Sequence, residues 1–397
     1  MRTMMRSRNI PGVLSALSHS QSSAHKTKVA VAAATLAATL GGVLSAPAAF
    51  TCPSSRRRAT AAGSLAMSSR ASDNGGVYGR LISVADAVSL QSGSGGPPVA
   101  FVDASWHLGA SDPDADRKSF EERGPRISGS VFFDINDVAD KEGKNGNLPH
   151  MMPNPDMFSA AMDAYGITNS HRVILYGNDA SALSVPRAAV TFLSMGHGPA
   201  LVHAMQGSVD DWIAAGGAVE EGPLPENPEK KRTLRVAEDL VGWNGAAAAY
   251  CASPPKNVLS KAELLSVVEK VASGEDTSTY ILDARSAGRF AGTAPEPRAG
   301  LRGGHMPGAT SMPYVGLMAD GSNVAFEAKA EMSAIFAGAG VDVAAAGKKF
   351  VVTCGSGVTA CHLATGLAEC GVAAEDIYLY DGAWCEWGGD PEVPIVT

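Results

Sequence analysis

No two of the six cysteines stand in a Cys-x-x-Cys pair, and no acidic residue precedes Asp73. The first absence removes the usual sequence signature of a zinc site, and six cysteines spread over 397 residues make no disulfide scaffold. A reducing compartment fits that usage. A basic excess is missing too. The formal net charge is −8, which implies no basic face for nucleic acid. Charged residues make up 18% of the chain and hydrophobic ones 45%, so there is enough apolar surface for full cores. The length favours two or three domains.

The acid-free stretch 1–72 holds Arg2, Arg6, Arg8, Lys26, Lys28, Arg56, Arg57, Arg58 and Arg70 among Ala, Ser and Thr. That is the composition of an organelle transit peptide. The apolar run Val29 to Ala46 is interrupted by Thr35, Thr39, Gly41, Gly42 and Ser45, which makes it a weak membrane span. It reads as part of a mitochondrial presequence, or as the apolar core of a bipartite plastid leader with Ser45 to Phe50 as its cleavage region. The mitochondrial reading is the plainer one, and neither leaves a membrane segment in the mature form.

The remaining sequence is one unit written twice. Val99 to Trp106, an apolar run with Asp103 near its end, returns as Tyr280 to Arg285 with Asp283. Arg126-Ile-Ser-Gly129 returns as His305-Met-Pro-Gly308. His171 to Gly177 answers Lys349 to Cys354, and each is followed by a helical pattern, Pro186 to Gly196 and Thr359 to Gly371. Both units close on a Gly-Trp element, Gly207 to Trp212 and Gly382 to Trp384. Short apolar strands alternating with helix-length segments predict an α/β architecture with a mainly parallel sheet in each unit. The expected layout is 77–222 for the first unit, 223–256 for a proline-rich linker lying along the surface, and 257–397 for the second. Trp106, Trp212, Trp384, Trp387 and Cys361 read as core.

The units differ at one point. Where the first has Tyr176-Gly177-Asn178, the second has Thr353-Cys354-Gly355-Ser356-Gly357-Val358-Thr359. A strand delivers Cys354 into a Gly-x-Gly turn at the mouth of a helix. Backbone N–H groups of a first helical turn have no partner within the helix, and a glycine turn with positive φ at Gly355 and Gly357 would curl them into an anion-binding nest. A thiolate or a persulfide is such an anion. In open α/β sheets ligands bind beyond the carboxyl ends of the strands, where Cys354 falls. The second unit therefore reads as the chemical one, with the site between the two. A cysteine phosphatase would need an arginine six residues after the cysteine, and that position is Ala360.

These motifs resemble the two-domain rhodanese family of sulfurtransferases over nearly all of 77–397. The resemblance is carried by Asp103-Ala-Ser-Trp106, Pro149 to Pro153, Ser184-Val-Pro-Arg187, Gly288 to Arg298, Gly304-His-Met-Pro-Gly308, Tyr380 to Trp387 and the loop from Cys354 to His362. It implies tandem rhodanese-like domains, the first catalytically silent. It also implies that sulfur passes through a Cys354 persulfide to a thiol acceptor, such as thioredoxin or a small thiol, or to cyanide, with no metal or organic cofactor. The loop is similar to that of members using 3-mercaptopyruvate. Relatives using thiosulfate carry two basic residues where this chain has Gly355 and Ser356.

By the same resemblance Arg289 and Arg298 bind the substrate, with Arg187 as a further candidate or an ion pair between the domains. Gly355, Gly357, Val358 and Thr359 form the loop around Cys354. Ser356 and His150 fall on a Ser–His–Asp proton relay, whose Asp position is occupied here by Asn136, so Asp134 or Asp137 would have to substitute. Arg126 stands where the first-domain motif has His, and no role is assigned to it. The competing readings are a thiosulfate:cyanide sulfurtransferase and a non-catalytic interaction module.

Overall fold

Strands whose sequences are apolar throughout pair in parallel when helix-length connections join them, and such sheets need cover on both faces. The computed structural model describes residues 80–93, 96–109, 111–141, 148–178, 183–225, 231–240 and 249–397. The leader assigned to 1–72 lies outside them. The first unit supplies β1 (Arg80–Ser83), β2 (Val99–Asp103), β3 (Arg126–Ile127), β4 (Val131–Phe132), β5 (Arg172–Tyr176), β6 (Val202–Gln206) and β7 (Val219–Glu220). The second supplies β8 (Val258–Leu259), β9 (Thr279–Asp283), β10 (Ala309–Ser311), β11 (Lys349–Thr353) and β12 (Ile377–Tyr380).

One five-stranded sheet runs β1-β6-β5-β2-β4 and the other β8-β12-β11-β9-β10, with every pairing parallel. Taken in chain order, the two arrangements are the same, so the repeat is one of topology. Asp103 stands opposite Tyr176, and Asp283 opposite Thr353. That register puts Gly177 and Cys354 at matching strand ends.

The repeat also holds at the turn after each acidic residue. Ser105 N–H donates to Asp103 Oδ1, and Arg285 N–H to Asp283 Oδ1, both at 2.9 Å. The second unit adds the Arg285 guanidinium, which pairs with Asp283 at 2.7 Å. The first has Ser105 there, and burial pushes the Asp103 carboxyl up to about 6.

Alternate strand residues go to opposite cores. Val102, Val173, Leu175, Leu282 and Val352 belong to one cluster that runs through both units. Phe101, Ile174 and Tyr176 pack instead with Trp212, while Ile281 and Val351 pack with Trp384 and Trp387. Two helices fill the shared core, Val185–Ser194 and Ala360–Cys370, and they pack against each other. All ten residues of the first are buried, including the polar stripe of Arg187, Thr191 and Ser194.

The linker is more embedded than its sequence suggests. Leu234 and Tyr250 are each 1% exposed and belong to the shared core. Phe132 N–H donates to the Arg232 carbonyl at 2.7 Å, which continues the edge of the first sheet. Arg126 is accounted for by the same neighbourhood. Buried, it donates to the carbonyls of Phe120 (2.7 Å) and Gly222 (2.8 Å) and ties β3 to the chain after β7. Among the described residues no helix is long and apolar enough to cross a membrane.

Candidate active site

β11 ends by placing Cys354, 2% exposed, at the entrance of the Ala360–Cys370 helix. The turn is pinned from one side. The Cys354 and Gly355 carbonyls accept the N–H groups of Trp384 (2.9 Å) and Cys385 (3.0 Å). Among the described residues no protein acceptor takes the N–H of Gly355, Ser356, Gly357, Val358 or Thr359. Cys361 is core, as expected. It is fully buried, its S–H points to the Gly357 carbonyl at 3.2 Å, and burial pushes its thiol up to about 12.

The two glycines serve different ends. Gly357 has φ +76°, the left-handed conformation expected of it. Gly355 is not in that region, which corrects the expectation for this position. Its missing Cβ instead leaves room for a neighbour, since a Cβ there would stand 2.8 Å from Arg289 Nη2.

Arg289 and Arg298, expected to bind substrate, both line the cavity of about 160 Å³ that opens on Cys354. Arg285 lines it as well. Glu296 organises two of these cations. Its Oε2 accepts Arg289 Nε (3.1 Å) and Nη2 (2.5 Å), and its Oε1 accepts Arg285 Nη1 at 2.7 Å. Arg285 lies 3.8 Å over the Trp384 ring, a cation–π contact that fixes its plane. Arg298 has no ion pair or hydrogen bond among the described residues, so its charge faces the cavity.

Arg187 is placed differently from the substrate-binding role considered for it. It is 2% exposed and does not line the Cys354 cavity. Its guanidinium is taken up by Asp381 Oδ1 (2.6 Å), the Gly357 carbonyl (3.3 Å) and the His150 carbonyl. Asp381 Oδ2 in turn accepts Met152 N–H at 2.6 Å. Arg187 therefore joins the two units and holds the cysteine turn from behind.

The relay is not assembled around Cys354. His150 lines a neighbouring cavity of about 400 Å³, with Trp106, Leu108 and Arg298 common to both cavities. Its ring packs edge-on to Trp106, 4.9 Å between centroids, and neither ring nitrogen has a hydrogen-bond partner. Burial, with Arg187 and Arg298 nearby, pushes its pKa down to about 3. Neither proposed replacement for the missing carboxylate reaches it. Asp134 bonds Arg117 at 2.9 Å, Asp137 bonds the same guanidinium, and Asn136 N–H donates to Asp134 Oδ1 at 2.7 Å. Ser356 does line the Cys354 cavity, as do Gly355, Val358 and Thr359.

Three participants were not singled out by sequence. Trp106, read as core, is half-buried and lines both cavities. Glu296 and Asp381 lie inside quoted motifs, but nothing in the motif says which cation each one faces.

The rhodanese-like domain family matches residues 266–390. The 3-mercaptopyruvate sulfurtransferase of Rattus norvegicus is 32% identical over 302 residues, covering 76% of this chain and 89% of the relative. An Arabidopsis thaliana thiosulfate/3-mercaptopyruvate sulfurtransferase, described as mitochondrial, is 32% identical over 301 residues, 75% of this chain and 74% of its own. Among solved structures, SseA of Escherichia coli, described as a 3-mercaptopyruvate sulfotransferase with the rhodanese fold, superposes with a TM-score of 0.53. It is 28% identical and is covered over 99% of its length by 77% of this chain.

Proposed function

We propose that this chain, which belongs to the rhodanese family of 3-mercaptopyruvate and thiosulfate sulfurtransferases and is an enzyme of that type, moves sulfur from 3-mercaptopyruvate through a Cys354 persulfide. The Cys354 thiolate attacks the donor's sulfur. The carbon–sulfur bond breaks, and its electron pair passes to the carbon next to the ketone as an enolate, which takes a proton and leaves as pyruvate. Arg289 and Arg298 hold the carboxylate and the oxygen on which the enolate charge collects, a task suited to guanidinium forks. The free N–H groups of Gly355 to Thr359 surround the charged sulfur, and Ser356 supplies a hydroxyl beside it. A thiol acceptor, thioredoxin or a small thiol, or cyanide then attacks the outer sulfur and releases Cys354 as thiolate.

The observation that carries this reading is the meeting of Cys354, Arg289 and Arg298 in one cavity. His150, which lines the other cavity and is held neutral, is assigned the positioning of Trp106 and Arg187 rather than proton transfer. We assign catalysis to 257–397, a silent supporting role to 77–222, and the connection to 223–256. The mitochondrion is the proposed location, with the plastid as the alternative.

Cyanolysis tests the proposal. Protein lacking residues 1–72, treated with 3-mercaptopyruvate and desalted, should release one sulfur per chain as thiocyanate, and Cys354→Ser should release none. A higher kcat/KM for thiosulfate than for 3-mercaptopyruvate would reverse the donor assignment.

A further inference from the structure

Glu296 belongs to a quoted motif, yet the mechanism above gives it no part. Its side chain is 2% exposed and lies between two of the three cavity guanidinium groups. Around the donor cavity stand Arg285, Arg289 and Arg298, of which Arg285 pairs with Asp283 and Glu296, Arg289 pairs with Glu296, and Arg298 pairs with neither. Three positive groups against two negative ones leave a formal charge of +1, which the Cys354 thiolate in the same cavity brings to zero. Arg187 and Asp381 cancel each other, and His150 is neutral. With the nucleophile ionised the site holds no surplus positive charge, so each negative charge on the donor is added against that balance. A dianion brings a second charge that nothing there neutralises.

We propose that Glu296 limits the cavity's positive charge and so disfavours the thiosulfate dianion more than a monoanionic keto acid, adding to the uncharged Gly355 and Ser356 where thiosulfate-using relatives carry basic residues. It also positions Arg289, whose Nε and Nη2 it holds against the gap left by Gly355. Both donors need that positioning, whereas only the dianion feels the second charge. Thiosulfate would react at the same thiolate. Cys354 attacks the outer sulfur, the sulfur–sulfur bond breaks, and sulfite leaves with the electron pair. The chemistry of transfer is therefore open to both donors, and the difference lies in charge matching. This inference rests on the donor reading given above.

The test is the ratio of kcat/KM for thiosulfate to kcat/KM for 3-mercaptopyruvate. Glu296→Gln keeps the shape and removes the charge, and one extra unit charge at cavity distances should raise the ratio about tenfold. Glu296→Asp keeps the charge, so both donors should slow while the ratio holds. Ser286→Lys adds a charge from an exposed position lining the cavity without touching Glu296, and should move the ratio the same way. It decides the matter if Glu296→Gln fails to fold. An unchanged ratio in every folded variant, or equal losses for both donors in Glu296→Gln, overturns the inference. A wild-type enzyme that prefers thiosulfate overturns the donor reading instead, and the variant ratios still report on Glu296.

Discussion

A Cβ placed on Gly355 would stand 2.8 Å from Arg289 Nη2. Arg289 cannot retreat freely, because Glu296 holds both Nε and Nη2. Gly355→Ala should therefore displace the guanidinium at the cavity side, with little effect on folding because this glycine is not in the left-handed region. Losing one charge-assisted hydrogen bond to substrate costs about 1.5–3 kcal/mol, so KM for 3-mercaptopyruvate should rise about tenfold or more. Steady-state kinetics beside a thermal melt would check both halves of that expectation. At this scale the meeting of Cys354, Arg289 and Arg298 in one cavity agrees with the sequence, where each has a motif around it. The use of Gly355 was not legible, because an absent Cβ says nothing about which neighbour occupies the space. The placing of His150 was not legible for a related reason. The motif places it in the chain, but its ring direction depends on Trp106 and on where Arg117 draws Asp134 and Asp137.

Helices Val185–Ser194 and Ala360–Cys370 each start beside the site, and Arg187 from the first reaches Asp381 just after β12. Both partners are 2% exposed, so breaking the pair leaves a charge with no solvent to receive it. Arg187→Met should cost about 3–5 kcal/mol of unfolding free energy, measured by denaturant titration. Arg187→Met with Asp381→Asn should cost clearly less than the two single changes added together, because neither variant then strands a buried charge. An additive result would mean that the pair contributes nothing as a pair. The repeated strand order was readable because each copy brings the same acid-ended apolar run and the same spacing to its glycine turn. The linker's role was not, because Leu234 and Tyr250 are isolated apolar residues in a proline-rich, charged segment. Only the assembled core shows what covers them.

Across the whole molecule, burial shifts the ionisation of His362 and Asp103 in opposite directions, and both shifts register in stability against pH. His362 is fully buried beside Tyr314 and Phe326, and desolvation pushes it down to about 3. Unfolded, it would titrate at about 6.5. Between those values the unfolded chain binds a proton that the folded one refuses, so the folded state loses stability as pH falls, by at most about 1.4 kcal/mol per pH unit. Asp103, raised to about 6, takes up its proton in the folded state first, so between about 6 and its unfolded value near 3.9 it adds stability as pH falls. His362→Leu should therefore flatten the acid side of the stability curve. Asp103→Asn, which keeps an acceptor for Ser105 N–H, should steepen it. Unfolding free energies of the three proteins from pH 7 to 4 separate the two effects. Equal slopes in all three would show that neither group keeps its buried ionisation in the folded chain, and parallel shifts of the whole curve would mark a packing effect alone. The same measurement bears on the site, because His362 is in the helix that begins at the cysteine turn. A core that stays neutral there leaves the field at Cys354 to Arg285, Arg289 and Arg298, to the carboxylates of Asp283 and Glu296, and to the Arg187–Asp381 pair behind the turn.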